Sequence, residues 1–193
     1  MKLVYNLEPK YRVTMLAREE WTRSPRTPPV VKGLVWYMDG SRTAEGTGAG
    51  VCGQSVSRRL SIPLGKYATV FQAEVYVILA CTHEIKAQDW PEKYVSICSD
   101  SQEALKALQA AKTMSPLVCQ CQQALNEISA RHAIRLYWVL GHAGVRGNEI
   151  VDRLARSSSG QWFIGTEPFL GVSRQNIRKK MKRWMKNQHL ALW

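Results

Sequence analysis

The sequence predicts an α/β fold in which helices flank a mixed sheet of five strands. A continuous apolar run, Leu34–Met38, is typical of a strand that is buried on both faces. Residues 70–88 then change to helical spacing, with apolar side chains recurring on one stripe. Helix-like segments also separate the later strands, as crossover connections between parallel strands require. We therefore expect three antiparallel strands followed by two parallel ones.

The predicted elements follow the order β-β-β-α-β-α-α-β-α, and glycines punctuate the second strand. In chain order we expect strands at 34–38, 49–52 and 59–64, a helix at 70–88, a strand at 95–99, helices at 101–111 and 116–130, a strand at 134–139 and a helix at 148–157.

Three regions are expected along the chain. Residues 22–32 contain three prolines without regular periodicity, so residues 1–32 are interpreted as a connector that ends in a linker. The folded domain should occupy residues 33–160. Residues 161–193 carry seven basic groups and one acidic group, and we expect a basic extension that contains an amphipathic helix.

The composition is that of a soluble globular protein. The chain has 45% hydrophobic and 22% charged residues, and no apolar run approaches the roughly 20 residues of a membrane-spanning helix. The first residues lack a secretory signal, and the five cysteines are an odd set without a C-x-x-C pair, which we interpret as reduced. We therefore expect an intracellular protein, in the cytoplasm or the nucleus, with no membrane partner and no small-molecule cofactor.

The net charge of +12 suits a polyanionic partner, although many basic proteins bind no nucleic acid.

Four carboxylates are candidates for one site. Asp39 and Asp100 each follow a predicted strand, so they should emerge at the same sheet edge if those strands are parallel neighbours. Glu74 lies on the helical stripe that faces the sheet, where a lone buried charge costs several kcal/mol or more. Asp152, early in the last helix, is the fourth. Ionised carboxylates in such a cluster repel one another unless hard divalent cations neutralise them. An oxygen-only ligand set favours two Mg²⁺ or Mn²⁺ ions over zinc.

Each of these residues also has a structural explanation. Asp39 can belong to a turn with the glycine that follows it, and Asp100 can cap a helix. Glu74 can point to solvent, and Asp152 can be an ordinary acidic residue of a first turn. His142, in a glycine-containing loop ten residues before Asp152, can be a loop residue or a proton-transfer group.

Four sequence blocks together resemble type 1 ribonuclease H. They are VWYMDGSRTAEGTGAGV, FQAEVYVILA, CSDSQEAL and LGHAGVRGNEIVDRLA, and the resemblance covers about residues 33–159. The chain looks most like the domain downstream of reverse transcriptase in polyproteins of non-LTR (LINE-type) retrotransposons. The segment LEPKYRVTMLAREEW resembles the connector upstream of such domains.

The resemblance implies a ribonuclease H-like fold and hydrolysis of the RNA strand of RNA·DNA hybrids, with 5′-phosphate and 3′-hydroxyl products. By position, Asp39, Glu74, Asp100 and Asp152 match the family's metal-binding carboxylates, and His142 matches its mobile catalytic histidine. Asp39 is expected to bridge both ions and Asp152 to serve mainly one. Positions where relatives touch the RNA strand are occupied here by Gly40, Ser41, Gln72, Ser101 and Gln102.

The chain also departs from the family pattern. The interval between Asp100 and His142 is too short for the basic protrusion of cellular relatives, and Val70 and Phe71 replace polar residues that contact substrate in many of them. In cellular relatives the basic protrusion binds the hybrid. Here a basic amphipathic helix within 174–193 is a candidate for that binding role, with an apolar face formed by Ile177, Met181, Trp184 and Met185. It can equally dock on another part of a polyprotein, and a membrane-surface role ranks behind both.

The sequence also allows two rivals to the nuclease function. A catalytically silent nucleic-acid-binding or connecting module would usually lose carboxylates, whereas all four are present. A transposase or integrase on the same fold would lack Glu74 on the first helix.

Overall fold

The computed structural model describes residues 3–15, 17, 19, 31–161 and 170–190. The predicted linker lies largely outside these residues. The elements in chain order are β1 (Tyr5–Asn6), β2 (Arg12–Thr14), β3 (Leu34–Arg42), β4 (Thr47–Gly53), β5 (Arg58–Gly65), α1 (Val70–Ala87), β6 (Tyr94–Ser99), α2 (Gln102–Gln109), β7 (Lys112–Thr113), α3 (Pro116–Ile128), β8 (Ala133–Trp138), α4 (Arg146–Ser159) and α5 (Arg174–Leu190).

The central sheet has the mixed topology that the sequence predicted. Its strand order is β2-β8-β6-β3-β4-β5. Strands β3, β4 and β5 form the antiparallel meander, whereas β6 pairs parallel with β3 and β8 pairs parallel with β6. All five predicted strands and their order are confirmed.

The predicted number of strands was too low, because the sheet has six strands in the described part of the chain. Strand β2 comes from the expected connector and pairs parallel with the edge strand β8. Tyr11, just before it, is buried, and its hydroxyl donates to the Leu108 carbonyl at 2.7 Å. Three residues are too few for a sequence pattern to reveal, and long-range packing defines this strand. A separate small sheet pairs β1 with β7.

Helices α1 and α4 cover opposite faces of the sheet. Gly40 is the register partner of Ala49, and a Cβ atom at Gly40 would meet the backbone of α1. The neighbouring positions Gly48 and Gly50 instead approach the backbone of α4. Since successive strand residues point to opposite faces, the sheet lies between these two helices. Trp36, Tyr37 and Met38 of the central strand are almost completely buried.

No helix within the described ranges combines the length and the apolar character that crossing a bilayer demands. All five cysteines are free and buried.

Two glycines bring the helices unusually close to the strands that carry the candidate site. A Cβ atom at Gly40 would lie 2.7 Å from the Glu74 amide nitrogen. One at Gly50, the register partner of Asp39, would lie 2.4 Å from the Val151 carbonyl oxygen. The absence of these side chains therefore lets the backbone that carries Glu74 approach β3 and the backbone that carries Asp152 approach β4.

Replacing Gly50 by alanine should destabilise the fold by about 1–3 kcal/mol, because the new methyl group forces α4 away from β4. Urea unfolding measures this loss. Gly160→Ala is the control, since its methyl group would meet only the movable end of the Glu45 side chain. Equal unfolding midpoints for both variants would disprove the proposed close contact.

Candidate active site

Three carboxylates meet at one edge of the sheet. One oxygen each from Asp39, Glu74 and Asp100 lie within 4.8 Å of one another. Asp39 belongs to β3, and Asp100 directly follows β6. Because these strands are parallel neighbours, their carboxyl ends meet at the same edge, as the sequence predicted.

Glu74 completes this cluster from the first turns of α1. Thr69 caps the helix in a capping box with Gln72, which fixes where the helix begins. The Glu74 side chain is only 5% exposed, so it faces the sheet and not solvent. Its Oε2 atom is buried and has no hydrogen-bond partner among the residues that the structure describes. Such an atom indicates a missing proton or a missing cation.

The cluster is electrostatically unfavourable when it is fully ionised. Burial, followed by the charges of Asp100 and Asp152, raises the pKa of Asp39 from 3.8 to about 7. Burial and the neighbouring Asp39 and Asp100 raise the pKa of Glu74 well above its usual value. Burial also raises the pKa of Asp100, and a hydrogen bond from Asn148 offsets only part of this rise.

Asp152 lies beside this cluster. Its charge raises the pKa of both Asp39 and Asp100, so it is within electrostatic reach of them. It does not share their 4.8 Å group, and its Oδ1 accepts from the Arg156 Nε at 2.9 Å. The structure therefore gathers three of the four predicted carboxylates tightly and places the fourth next to them.

His142 is exposed in the loop between β8 and α4. Its backbone is left-handed, with a φ of 54°, and its charge lowers the pKa of Asp100. His142 can also meet Glu149 and Asp152, because one atom of each lies within 4.8 Å of the others. A Cβ atom at Gly141 would lie 2.9 Å from the Asp100 Oδ2, so the loop passes directly over that carboxylate.

Sequence reasoning assigned no role to two residues in the first turn of α4. Asn148 is 2% exposed, and its amide donates to the Asp100 Oδ2 at 3.2 Å. Glu149 belongs to the group with His142 and Asp152. Their positions, four and three residues before Asp152, are the available signal, since such spacing places side chains on one helix face.

The predicted RNA-contacting residues occupy different environments. Gly40 is buried against α1, Ser41 is half-buried near the end of β3, and Gln102 is exposed. Ser101 caps α2 through its side chain, which accepts from the Ala104 amide at 3.3 Å.

Gln72 is occupied by bonds within the protein. Its Oε1 accepts from the Thr69 amide at 3.0 Å, and its Nε2 donates to the carbonyl oxygens of Leu170 and Gly171 at 3.0 and 2.9 Å. In this conformation the two amide hydrogens of Gln72 are engaged by the segment before α5.

The residues of the cluster fit a hard divalent cation. All of their ligand atoms are carboxylate oxygens, which Mg²⁺ and Mn²⁺ prefer. Among the residues that the structure describes, no lysine or arginine forms an ion pair with Asp39, Glu74 or Asp100. A cation would supply the missing positive charge and a partner for the Glu74 oxygen.

Comparison with known proteins places this site in a family context. The sequence model of the RNase H family matches residues 31–159 of the chain. A ribonuclease H of Vibrio campbellii (strain ATCC BAA-1116) is 54% identical over 37 residues, which are 19% of this chain and 24% of that protein. A ribonuclease HI of Vibrio parahaemolyticus serotype O3:K6 (strain RIMD 2210633) matches with the same identity and shares. The chain thus spans about a quarter of the length of these two relatives.

The Asp39→Asn substitution should reveal the repulsion within the cluster when the free energy of unfolding is measured as a function of pH. Because the folded pKa is about 7 and the unfolded pKa about 4, the metal-free fold retains a proton that the unfolded chain releases. The stability of the wild type relative to Asp39→Asn is therefore greatest below pH ~4 and falls as the pH rises to ~7. Chemical unfolding in EDTA at several pH values measures this difference.

Millimolar Mg²⁺ should reverse the trend, since it binds the ionised carboxylates and raises the melting temperature more at pH ~8 than at pH ~5. A stability difference independent of pH, with no effect of Mg²⁺ in either protein, would contradict this account of the site.

Proposed function

The chain belongs to the RNase H family, and from that premise we propose that it hydrolyses the RNA strand of RNA·DNA hybrids by two-metal-ion catalysis. The observation that carries the proposal is the buried cluster of Asp39, Glu74 and Asp100. Within the described part of the chain, one Glu74 oxygen has no hydrogen-bond partner and no cationic side chain pairs with the cluster. A silent binding module has no use for so costly a cluster.

The carboxylates have distinct tasks in this proposal. Asp39 would be the ligand shared by both Mg²⁺ ions, and Mn²⁺ could substitute for them. Glu74 and Asp100 would complete the set of tightly grouped ligands, while Asp152 would serve mainly one ion from α4. When bound, the two cations lower the pKa of the attacking water and stabilise the charge that develops on the leaving oxygen.

The protein supplies orientation and proton transfer. Asn148 holds the Asp100 carboxylate through its amide. The water oxygen bonds to phosphorus, the bond from phosphorus to the 3′ oxygen breaks, and that oxygen takes up a proton. His142, exposed beside Asp100 and Asp152, carries protons to or from the reacting groups or assists product release.

Recognition of RNA is assigned to polar groups around the carboxylate edge. Gly40, Ser41, Ser101 and Gln102 are proposed to contact the RNA strand and its 2′-hydroxyls, which distinguish RNA from DNA. Gln72 can join them only if its bonds to the segment before α5 open.

We further propose that the chain derives from a retroelement polyprotein, downstream of reverse transcriptase, and acts inside the cell in reverse transcription. The resemblance of its N-terminal segment to the connector of such polyproteins supports this origin. Other polyprotein domains are then possible partners. A reverse transcriptase encoded upstream in the same reading frame would support the proposal, and its absence from the full gene would oppose it.

Changing Asp100 to asparagine should reduce Mg²⁺-dependent cleavage of a labelled RNA·DNA hybrid by roughly 100-fold or more, because a ligand charge is lost. Circular dichroism should show an intact fold, since asparagine keeps the size of the side chain. Asp89→Asn is the matched control, because Asp89 is exposed and pairs with Arg131 away from the cluster. The same assay includes double-stranded RNA and double-stranded DNA, which should not be cut. Cleavage by Asp100→Asn at the wild-type rate would refute the assignment.

Changing His142 to alanine should slow hybrid cleavage by roughly 100-fold without abolishing it, because proton transfer is lost while the metal ligands remain. The stabilisation of the protein by Mg²⁺ should be unchanged, which separates this variant from Asp100→Asn. An unaltered cleavage rate over the whole pH range would remove His142 from the mechanism.

A further inference from the structure

Helix α5 presents a strongly cationic surface. Residues 170–190 contain seven lysines and arginines and no acidic residue. Arg178, Lys182 and Lys186 recur every four residues, so they form one line along the helix, which we call the cationic stripe. All three side chains are exposed.

The helix is attached to the loop that leads into α1. The Asn176 side-chain amide donates to the Tyr67 carbonyl oxygen, and the Lys180 ammonium lies over the Tyr67 ring, 4.2 Å from its centroid. The Gln72 amide holds the carbonyl oxygens of Leu170 and Gly171 just before the helix. Three separate contacts therefore fix the start of α5.

This attachment point adjoins the carboxylate cluster. Gln72 lies two residues before Glu74 on α1. Arg42, three residues after Asp39 on β3, donates to the carbonyl oxygens of Lys66 and Ala68 and so holds the same loop. The segments that carry two of the carboxylates thus also support the base of α5.

The cationic stripe faces away from the attachment. At 3.6 residues per turn, the stripe lies roughly 140° around the helix from the attached positions Asn176 and Lys180. It is therefore free to meet a partner while the helix remains docked. From Arg178 to Lys186 the stripe extends about 12 Å, a distance that corresponds to roughly three or four phosphates of one strand of a duplex.

We propose that α5 is a second nucleic-acid contact surface, whose cationic stripe binds phosphates of the hybrid that lies across the carboxylate cluster. This inference rests on the proposed hydrolysis of hybrids and names the surface that holds the substrate. A duplex is favoured over a protein partner because a run of exposed cations without any acidic residue matches a polyanion. Tyr67 then acts as a positioning residue that holds the helix in place.

The test measures hybrid binding by fluorescence anisotropy at several salt concentrations, with Asp100→Asn present throughout so that the substrate stays intact. Combining Arg178→Gln, Lys182→Gln and Lys186→Gln should lower the slope of log affinity against log salt by about 2–3, because each phosphate contact contributes about 0.9. The matched control combines Lys86→Gln, Lys93→Gln and Arg131→Gln, which remove the same charge near the opposite end of the sheet. The control should leave the slope close to that of the parent protein.

An unchanged slope in the stripe variant overturns the inference. This is also the outcome expected if the cationic stripe binds a protein partner instead of the hybrid. Cleavage by the same variants without Asp100→Asn separates this result from failure of the proposed function. If the wild type cuts hybrid while the stripe variant binds it normally, only the surface assignment is wrong. If the wild type cuts nothing but the slope falls, the surface assignment holds and the catalytic proposal is wrong.

Two further substitutions test the positioning role of Tyr67. Tyr67→Ala should raise the KM for hybrid several-fold with little change in kcat, since the helix is no longer held beside the site. Tyr67→Phe keeps the ring and the backbone carbonyl, and should restore the wild-type KM. Equal KM values for both variants would exclude Tyr67 from this role.

Discussion

The energetic cost of burying several carboxylates together dominates this structure. Asp39 and Glu74 are nearly inaccessible, and Asp100 lies against both, yet no lysine or arginine in the described residues pairs with them. Isolated buried charges are avoided in proteins unless they are protonated, paired or bound to a cation. The raised pKa values of all three groups reflect the same repulsion between buried charges, and a divalent cation among their oxygens would relieve it at neutral pH.

The scaffold holds this unfavourable arrangement by backbone geometry. Parallel pairing of β3 with β6 places Asp39 and Asp100 at one edge. Gly40 and Gly50 let α1 and α4 approach the central strands from opposite faces, which brings Glu74 and Asp152 to that edge. Packing of the large buried core stabilises these elements and offsets the free-energy cost of the buried carboxylates. The four acids can therefore be far apart in the chain and still lie next to one another at this edge.

The strands, helices and site residues that follow from local sequence patterns could be predicted from the sequence. The apolar run Leu34–Met38 identifies the central strand, and the apolar stripe of α1 places Glu74 toward the sheet. Strand β2 was missed because three residues carry no readable period. Asn148 received no role because its bond to Asp100 joins residues that are distant in sequence. The contact between Gln72 and the segment before α5 was equally invisible, since it depends on how a distant part of the chain folds back.

Crystals soaked in Mn²⁺ would test the central claim most directly, because the anomalous signal locates the ion without reference to any assay. The account predicts density between the carboxylates of Asp39, Glu74 and Asp100, with oxygens at about 2.0–2.3 Å from the ion and Glu74 among its ligands. Density only at exposed surface carboxylates, with the cluster still free of metal above pH ~7, would contradict it.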